Sequence, residues 1–363
     1  MNNVTILRLA YPGLIITLQQ YVIIIESCSF VWTILSVWGI VSNIVNIKTF
    51  IIMGIGDGVT VSLLALSIFD LLYVTASLCL GVAIIFYIAE IKYGMVFGIE
   101  PYGVSMFFGN IMILISIANV LSTTFITVAR CMCVARPLQF RNTFTRNRTI
   151  SWCVVFVVFT IAVYSPILTH MGMVTRFDIK RNISRPSFWI SPNREFVKAI
   201  VWVVTDMFLP FATQIIVILS VIVMANCLRV ASEFRHFANA DVVRRTDVRI
   251  TDNETETREQ YEIVSGNHRL TGKELRVVQQ VILIAVVYIV CNTPKILISI
   301  TAMIEPQFAI GSRYNNLYLS VNCLRKHCEI INASVNTFIY YAYNTKFRKT
   351  VNLAIQCSED NVL

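Results

Sequence analysis

Arg130 is the residue of this sequence whose chemistry most needs an explanation. It closes a long apolar run in the stretch FITVARCMCVARPLQF (125–140), where a guanidinium is costly unless a carboxylate or a polar surface receives it. Asp70, at the end of LALSIFD, is a carboxylate in the same kind of surroundings. Neither belongs to a Ser/His/Asp or Cys/His constellation, and the cysteines lack zinc-ligand spacing. The residue types predict a switch or an ion site inside apolar helices, and no enzyme.

Long apolar runs are the elements that must position these residues. The chain has 363 residues, of which 56% are hydrophobic and 14% charged, whereas a soluble domain carries about a quarter charged residues. Runs of about 18 or more apolar residues are typical of membrane-spanning helices. We predict an all-α membrane protein, a seven-transmembrane helix bundle over 22–343 whose spans cover about 22–47, 59–89, 103–134, 150–170, 198–227, 276–303 and 314–343.

The basic residues indicate how these helices cross the membrane. More than half of the 30 Lys and Arg residues fall in the segments that are cytoplasmic if residues 1–21 are extracellular, as the positive-inside rule requires. In this orientation the sequons at Asn3 and Asn182 lie outside and are candidate glycosylation sites. The net charge of +9 therefore indicates orientation in a bilayer, and we expect no nucleic-acid partner.

Two polar segments complete the predicted cytoplasmic side. The loop 229–275 mixes both charge signs, as in TDNETETREQ, and is expected to be solvated, with helical extensions of its neighbours at its ends. The tail 344–363 begins with NTKFRKTVNLAIQC, whose spacing predicts a short amphipathic helix on the membrane surface. Cys357 is either a palmitoylation site or an unmodified thiol.

One characteristic residue or motif recurs in each predicted span, in a fixed order. The set comprises Asn43 in GIVSN, Asp70 in LALSIFD, Arg130, Trp152, Pro210 in FLPF, Pro294 in VCNTP, and NTFIY from Asn336 to Tyr340. With these residues the chain resembles the rhodopsin-like (class A) G-protein-coupled receptors over nearly its whole length. The stretches 45–72, 270–297 and 313–344 are similar to divergent molluscan chemosensory and peptide-receptor-like members of that family.

The resemblance implies a receptor of the plasma membrane, with its N-terminus outside, that couples an extracellular small-molecule or peptide ligand to a heterotrimeric G protein. It also implies a set of switch residues, namely Arg130, Glu274, Pro210, Pro294, Asn336 and Tyr340. Pro210 and Pro294 each remove a helix hydrogen bond and favour kinks. A seven-helix transporter or channel without G-protein coupling is the alternative function, although we find neither an inverted repeat nor a polar track in the sequence.

Arg130 departs from the family pattern on both sides. Ala129 and Cys131 stand where the family has an acid and an aromatic residue. The resemblance implies a second partner for the arginine at Glu274, which lies 20 residues before Pro294. The alternative is that Glu274 is one more charge of the mixed loop.

The resemblance also places four asparagines near Asp70, namely Asn43, Asn119, Asn332 and Asn336. In related receptors such a cluster holds a sodium ion, and this is the only cofactor that the resemblance implies. A water-filled polar network without an ion is the alternative. Tyr340 carries a hydroxyl that reaches toward either this centre or Arg130.

The ligand side is predicted from the outer halves of the last two spans. Met112 occupies the position of the amine receptors' aspartate, and Ile330 that of the opsins' lysine, which disfavours amine and retinal ligands. Lys295, Arg325 and Lys326, with the basic loop 176–198, predict an anionic group such as a peptide carboxylate. Alternatively, these cations extend to the surface or pair with carboxylates such as Asp206, which is itself a ligand candidate.

The family's disulfide between the third span and the following outer loop is absent. No cysteine occurs between Cys79 and Cys131, or between Cys153 and Cys227. Cys28 and Cys323 lie at comparable depths on spans that we expect to be neighbours. They either form a bond or remain buried free thiols.

Overall fold

The computed structural model describes residues 15–136, 139–140, 143–179, 182–248 and 272–359. Its first half contains four long helices, α1 (Leu18–Met53), α2 (Gly58–Tyr93), α3 (Pro101–Ala135) and α4 (Arg146–Thr169), followed by strands β1 (Met171–Asp178) and β2 (Ile183–Ile190). The second half contains α5 (Arg194–Trp202), a π-helical turn (Val203–Phe208), α6 (Leu209–Val248), α7 (Gly272–Ile304), α8 (Asn315–Ser334), α9 (Asn336–Tyr343) and α10 (Thr345–Glu359).

Six helices in the described part of the chain are long and apolar enough to cross a membrane. They are Leu18–Met53, Gly58–Tyr93, Pro101–Ala135, Arg146–Thr169, Arg194–Cys227 and Val278–Ile304. They correspond to the first six predicted spans. The predicted seventh span, 314–343, is not confirmed as a single apolar helix. It is divided at Val335 into α8 and α9, and α8 carries Arg325, Lys326 and Glu329.

Helix ends follow from short-range chemistry around Asp57. α1 ends at Gly54, whose φ of 88° is readily adopted only by glycine. Asp57 then caps α2, because its carboxylate accepts from the backbone N–H of Thr60 at 3.1 Å and from the Thr60 hydroxyl at 2.7 Å. The turn between the first two helices is therefore set by Gly54 at its start and by the Asp57 cap at its end.

Many polar side chains point into the bundle, and many large apolar side chains lie on its outside. Ser36 and Ser77 join α1 to α2 by a hydrogen bond of 3.0 Å between their hydroxyls. A Cβ atom on Gly81 would lie 2.8 Å from the hydroxyl of Thr33, so glycine permits the close approach of the same helices. Ile34 and Val158 are among the exposed apolar residues. Polar groups that find partners inside the bundle, with apolar side chains on its outside, are what a helix bundle in lipid requires.

The loop after α4 forms an antiparallel hairpin, which the sequence analysis treated as a basic loop and did not predict. Met171 pairs with Ile190 at its open end, and Asp178 pairs with Ile183 next to the turn. A Cβ atom on Gly103 would lie 2.6 Å from the sulfur of Met173, so the hairpin packs directly on the first turn of α3. The fold is therefore a helix bundle with one hairpin over an end.

Polar contacts attach this hairpin to the bundle. Glu100, just before α3, accepts from the Phe188 N–H at 2.6 Å and donates its own N–H to the Pro186 carbonyl at 3.1 Å. Arg185 donates to Glu90 of α2 at 2.6 Å and to Asp178 at 3.1 Å. Burial lowers the pKa of the Arg185 guanidinium, but the neighbouring carboxylates outweigh burial and the net result is a raised pKa. Arg185 is therefore charged at every physiological pH.

The predicted tail helix is confirmed as α10. Phe347 is fully buried, with its ring centroid 5.3 Å from Phe50 and 5.6 Å from Tyr340. Lys346 donates to the Met53 carbonyl at 2.9 Å. α10 is thereby held against the end of α1. The side chain of Cys357 lies outside the described residues, and its palmitoylation stays a prediction.

Glu90→Gln removes a charge that faces a buried guanidinium, since the side chains of Arg185 and Glu90 are 3% and 4% exposed. Breaking one side of a buried pair costs about 3–5 kcal/mol, whereas an exposed pair contributes less than about 1 kcal/mol. We expect Glu90→Gln to lower the Tm of the detergent-solubilised protein. The matched control is Glu26→Gln, which breaks the more exposed pair with Lys92 and should change the Tm much less.

Equal Tm losses for Glu90→Gln and Glu26→Gln would show that the hairpin is held by other contacts.

Candidate functional site

A polar centre lies in the middle of the bundle, around Asp70. Asp70 is 1% exposed, and Asn336 donates its side-chain N–H to the carboxylate at 2.8 Å. Asn336 begins α9 directly after the break at Val335, so its side chain leaves the chain where the helix is interrupted. A predicted contact between the second and seventh spans is therefore present.

The other predicted asparagines have different surroundings. Asn43 donates to the carbonyls of Gly39 at 2.9 Å and Ala333 at 2.8 Å, and so joins α1 to the end of α8. The side-chain oxygen of Asn119 is buried and has no hydrogen-bond partner among the described residues. Asn332 is partly exposed. The structure thus pairs Asp70 with Asn336, and the sodium site stays a prediction.

The break after α8 is held to α1 by residues that the sequence analysis gave no role. Ser42 donates to the Ser334 carbonyl at 2.8 Å. Thr337 donates to the Ser42 carbonyl at 3.0 Å or the Asn46 side chain at 2.9 Å. Polar residues inside an apolar run were the available signal, because each must find a partner in the bundle.

Tyr340 is fully buried between Phe50 and Phe347, with its ring 5.2 Å from that of Phe50. Its hydroxyl faces Ser67 and Asp70. It forms no hydrogen bond to a described residue. The sequence left open whether the Tyr340 hydroxyl reaches toward Asp70 or toward Arg130, and in the structure it lies on the side of Asp70.

Arg130 lies in the last two turns of α3. Within the described residues, the groups that act on its charge are Cys133, one turn later on the same helix, and the carboxylate of Asp57 at the start of α2. The sequence analysis missed Asp57, although the Asp-x-x-Thr spacing that caps α2 was a signal. Glu274 falls in the first turn of α7, but its side chain lies outside the described residues, so its pairing with Arg130 stays a prediction.

The two predicted prolines lie next to polar contacts between α6 and α7. Pro210 is the second residue of α6, two residues after the end of the π-helical turn, and Pro294 is inside α7. Two residues before Pro294, Asn292 donates to the side-chain oxygen of Gln214 at 3.0 Å. Gln214 in turn donates to the Ile289 carbonyl at 3.3 Å. Gln214 was missed by the sequence analysis, and with Asn292 it forms an amide bridge between α6 and α7.

A charged cluster lies in the half of the bundle nearer the hairpin, and we define it as Asp206, Lys295, Arg325, Lys326 and Glu329. Lys295 of α7 lies 3.5 Å from the carboxylate of Asp206 in the π-helical turn. Arg325 forms an ion pair with Glu329 one turn later on α8. The alternative in which these cations pair with nearby carboxylates is therefore confirmed for Lys295 and Arg325.

The charged cluster holds one more cation than it holds carboxylates. Lys326 interacts electrostatically with Arg325, Glu329 and Lys295, but it forms no ion pair or hydrogen bond with a described residue. Tyr73 of α2 donates to the second oxygen of Glu329 at 2.5 Å, which occupies both oxygens of that carboxylate. The cluster therefore retains an unmatched positive charge.

A further cation extends the charged cluster toward the hairpin. Arg194, at the start of α5, is buried, and donates to Asn110 of α3 at 3.4 Å. Tyr164 of α4 donates to the same oxygen at 2.9 Å, and its hydroxyl is influenced by both Arg194 and Asp206. The Nε of Arg194 has no partner among the described residues. Asn110, a polar residue inside an apolar run, was the signal that the sequence analysis missed.

Two other predicted residues lie away from these charges. Met112 is buried in the apolar cluster that includes Tyr73 and Ile330, so it presents no surface to a ligand in this conformation. Asn182 is exposed in the turn between β1 and β2, with a φ of 53° that asparagine tolerates. Asn3 lies outside the described residues, so glycosylation at both sites stays a prediction.

No protein-family model matches this chain, and no curated protein is similar to it in sequence. Within the described ranges, no group of three or more His, Cys, Asp and Glu side chains is arranged to hold a metal ion. The polar contacts of the bundle are therefore the observations from which a function must be inferred.

Glu329→Gln removes the carboxylate that neutralises Arg325, whose side chain is 12% exposed beside the 19% of Glu329. We expect a lower Tm for the purified protein, since a charge is left unpaired in the bundle. Because the site is partly open, added acetate or benzoate should bind to Arg325 and Lys326 and restore part of the Tm. Chloride at equal ionic strength should not.

The matched control for this rescue is Glu90→Gln, in which the arginine that loses a carboxylate, Arg185, keeps Asp178 and lies in a closed site. The account of the charged cluster is wrong if acetate raises the Tm of both variants equally, or if chloride is as effective as acetate.

Proposed function

We propose that the protein is a seven-helix receptor of the plasma membrane, with its N-terminus outside, that couples an extracellular ligand to a heterotrimeric G protein. The observation that carries the proposal is the 2.8 Å hydrogen bond between Asp70 and Asn336, residues 266 positions apart in the sequence. The resemblance to class A receptors predicts that these two residues meet. A chance likeness of short motifs predicts no such meeting.

The seventh crossing is part of this proposal. α8 and α9 are not apolar enough to be identified as a span from composition, because α8 carries three residues of the charged cluster, Arg325, Lys326 and Glu329. Both helices nevertheless run along α1, as the contacts of Asn43 with Ala333 and of Ser42 with Thr337 indicate. A seventh crossing formed by α8 and α9 places residues 1–21 and α10 on opposite sides of the membrane.

The proposed ligand carries a negative charge. The charged cluster has three cations and two carboxylates, and Arg194 adds a fourth cation beside it. A ligand carboxylate or another anionic group would neutralise Lys326, which has no ion-pair partner among the described residues. It would also offer an acceptor to the Nε of Arg194, whose guanidinium already has Glu195 at 3.9 Å. Chemosensory anions and peptides with a free C-terminal carboxylate both have this chemistry.

The proposed switch runs along α7. This helix carries Lys295 of the charged cluster, contains Pro294, is joined to α6 through Asn292 and has Glu274 in its first turn. A ligand that displaces Lys295 from Asp206 changes the contacts of α7 with the π-helical turn. Movement of α7 away from α3 would then open a cleft at Arg130 for the G protein.

One observation favours the alternative of an anion transporter. The break at Val335 interrupts a helix at the depth of Asp70, and transporters often use interrupted helices to bind ions. Such a protein would move anions across a sealed vesicle and would not accelerate nucleotide exchange on a G protein.

The test is nucleotide exchange on membranes that contain the protein together with each class of heterotrimeric G protein. Arg130→Ala should abolish any exchange that the protein stimulates. Glu274→Ala should raise ligand-independent exchange about fivefold, because loss of a restraint of about 1 kcal/mol shifts a two-state equilibrium by that factor. The matched control is Arg136→Ala, an exposed arginine just after α3, which should leave exchange unchanged.

All variants are compared at equal surface expression. Unchanged ligand-independent exchange in Glu274→Ala would contradict the restraint between α3 and α7. Exchange that is insensitive to Arg130→Ala would contradict the receptor proposal, and anion uptake without exchange would favour the transporter.

A further inference from the structure

Cys28 on α1 and Cys323 on α8 face each other near the ends at which both helices begin. Their side chains are buried, with 6% and 7% exposure, and belong to the same apolar cluster. The two thiols are close enough to interact with each other. Both cysteines are free in this structure. Two free thiols on different helices thus lie in one buried cluster.

The register of the two helices brings the same thiols together through a second contact. Trp32 lies four residues after Cys28 and His327 four residues after Cys323, so each pair shares one helix face. Trp32 donates its indole N–H to Nδ1 of His327 at 3.2 Å, and the ring centroids are 5.6 Å apart. Because α1 and α8 run in the same direction, the preceding turn of each helix places Cys28 opposite Cys323.

We propose that Cys28 and Cys323 form an interhelical disulfide when a disulfide oxidant reaches this end of the bundle. The two thiols give up two protons and two electrons, and a bond forms between their Sγ atoms. The disulfide of the oxidant, such as glutathione disulfide or an oxidised dithiol oxidoreductase, is cleaved to two thiols. This end is extracellular in the proposed orientation, where disulfides persist.

The bond would tie the first helix to the seventh segment. It closes a loop that contains most of the chain, which restricts the unfolded state. It would also fix α8 relative to α1 on the outer side of the contacts that hold Asn336 near Asp70. The redox state of the two cysteines then controls how freely α8, with its charged residues Arg325, Lys326 and Glu329, can move relative to α1. This chemistry needs an oxidant and the contact between the thiols, and it does not depend on a G protein.

The matched control is a second cysteine pair between neighbouring helices. Cys291 of α7 and Cys328 of α8 influence each other electrostatically, but their interaction includes no hydrogen bond between the thiols. If any two cysteines at helix contacts become linked under oxidation, this pair should be linked as well. If contact between the thiols decides, only Cys28 and Cys323 should be linked.

The full-length protein, purified in detergent, is treated with glutathione disulfide or with dithiothreitol. Free thiols are then alkylated with N-ethylmaleimide, and the digest is analysed by mass spectrometry. We expect a linked peptide pair containing Cys28 and Cys323 in the oxidised sample and its complete loss in the reduced one. Cys323→Ser should remove the linked pair, and Cys328→Ser should leave it unchanged.

Alkylation of both Cys28 and Cys323 in the oxidised sample would overturn the proposal, and so would preferential linkage of Cys291 to Cys328. If Cys323→Ser does not fold, the peptide map of the unsubstituted protein decides the question alone. Because no nucleotide exchange is measured, a negative result here leaves the receptor proposal standing, and failure of exchange leaves the disulfide standing.

Discussion

The hydrogen bond from Asn336 to Asp70 depends on the interruption of the helix between α8 and α9, and much of the bundle is arranged around that interruption. A buried carboxylate in an apolar bundle needs a polar partner, because lipid provides none. The end of α8 frees Asn336 to meet it. The backbone at the break then needs partners of its own, which Ser42 and Asn43 of α1 provide. The need of Asp70 in α2 for a polar partner is thus met by α9, and the backbone before α9 is in turn held by α1.

The same constraint explains why the two halves of the bundle differ. In the half nearer the hairpin, cations on α7 and α8 pair with carboxylates on the π-helical turn and on α8 itself, and an unmatched positive charge is left. In the opposite half, the groups among the described residues that act on the charge of Arg130 are Cys133 and Asp57. α7 extends through both regions, with the amide bridge of Asn292 and Gln214 between them. A charged ligand and a protein partner at opposite ends can therefore act on one helix, which is the basis of the proposed receptor function.

The sequence predicts the first six spans well, because each is an uninterrupted apolar run. It also predicts the tail helix and the meeting of Asp70 with Asn336. It does not predict the hairpin, because Pro186 and Arg185 are atypical of a strand and the partner of Arg185 is Glu90, far away on α2. It leaves open whether Lys295 and Arg325 face a ligand or carboxylates, since that depends on the depth and rotation of three helices. The π-helical turn that holds Asp206 has no sequence signature beyond the proline that follows it.

The central claim is that α7 moves away from the rest of the bundle at the inner side when a G protein binds. Spin labels carried by unnatural amino acids at positions 52 and 276, near the inner ends of α1 and α7, report this distance by double electron–electron resonance. With nucleotide-free heterotrimers of each G-protein class in turn, we expect a longer distance to become populated for at least one class, and to be absent in Arg130→Ala. A distance distribution that no heterotrimer changes would contradict the account.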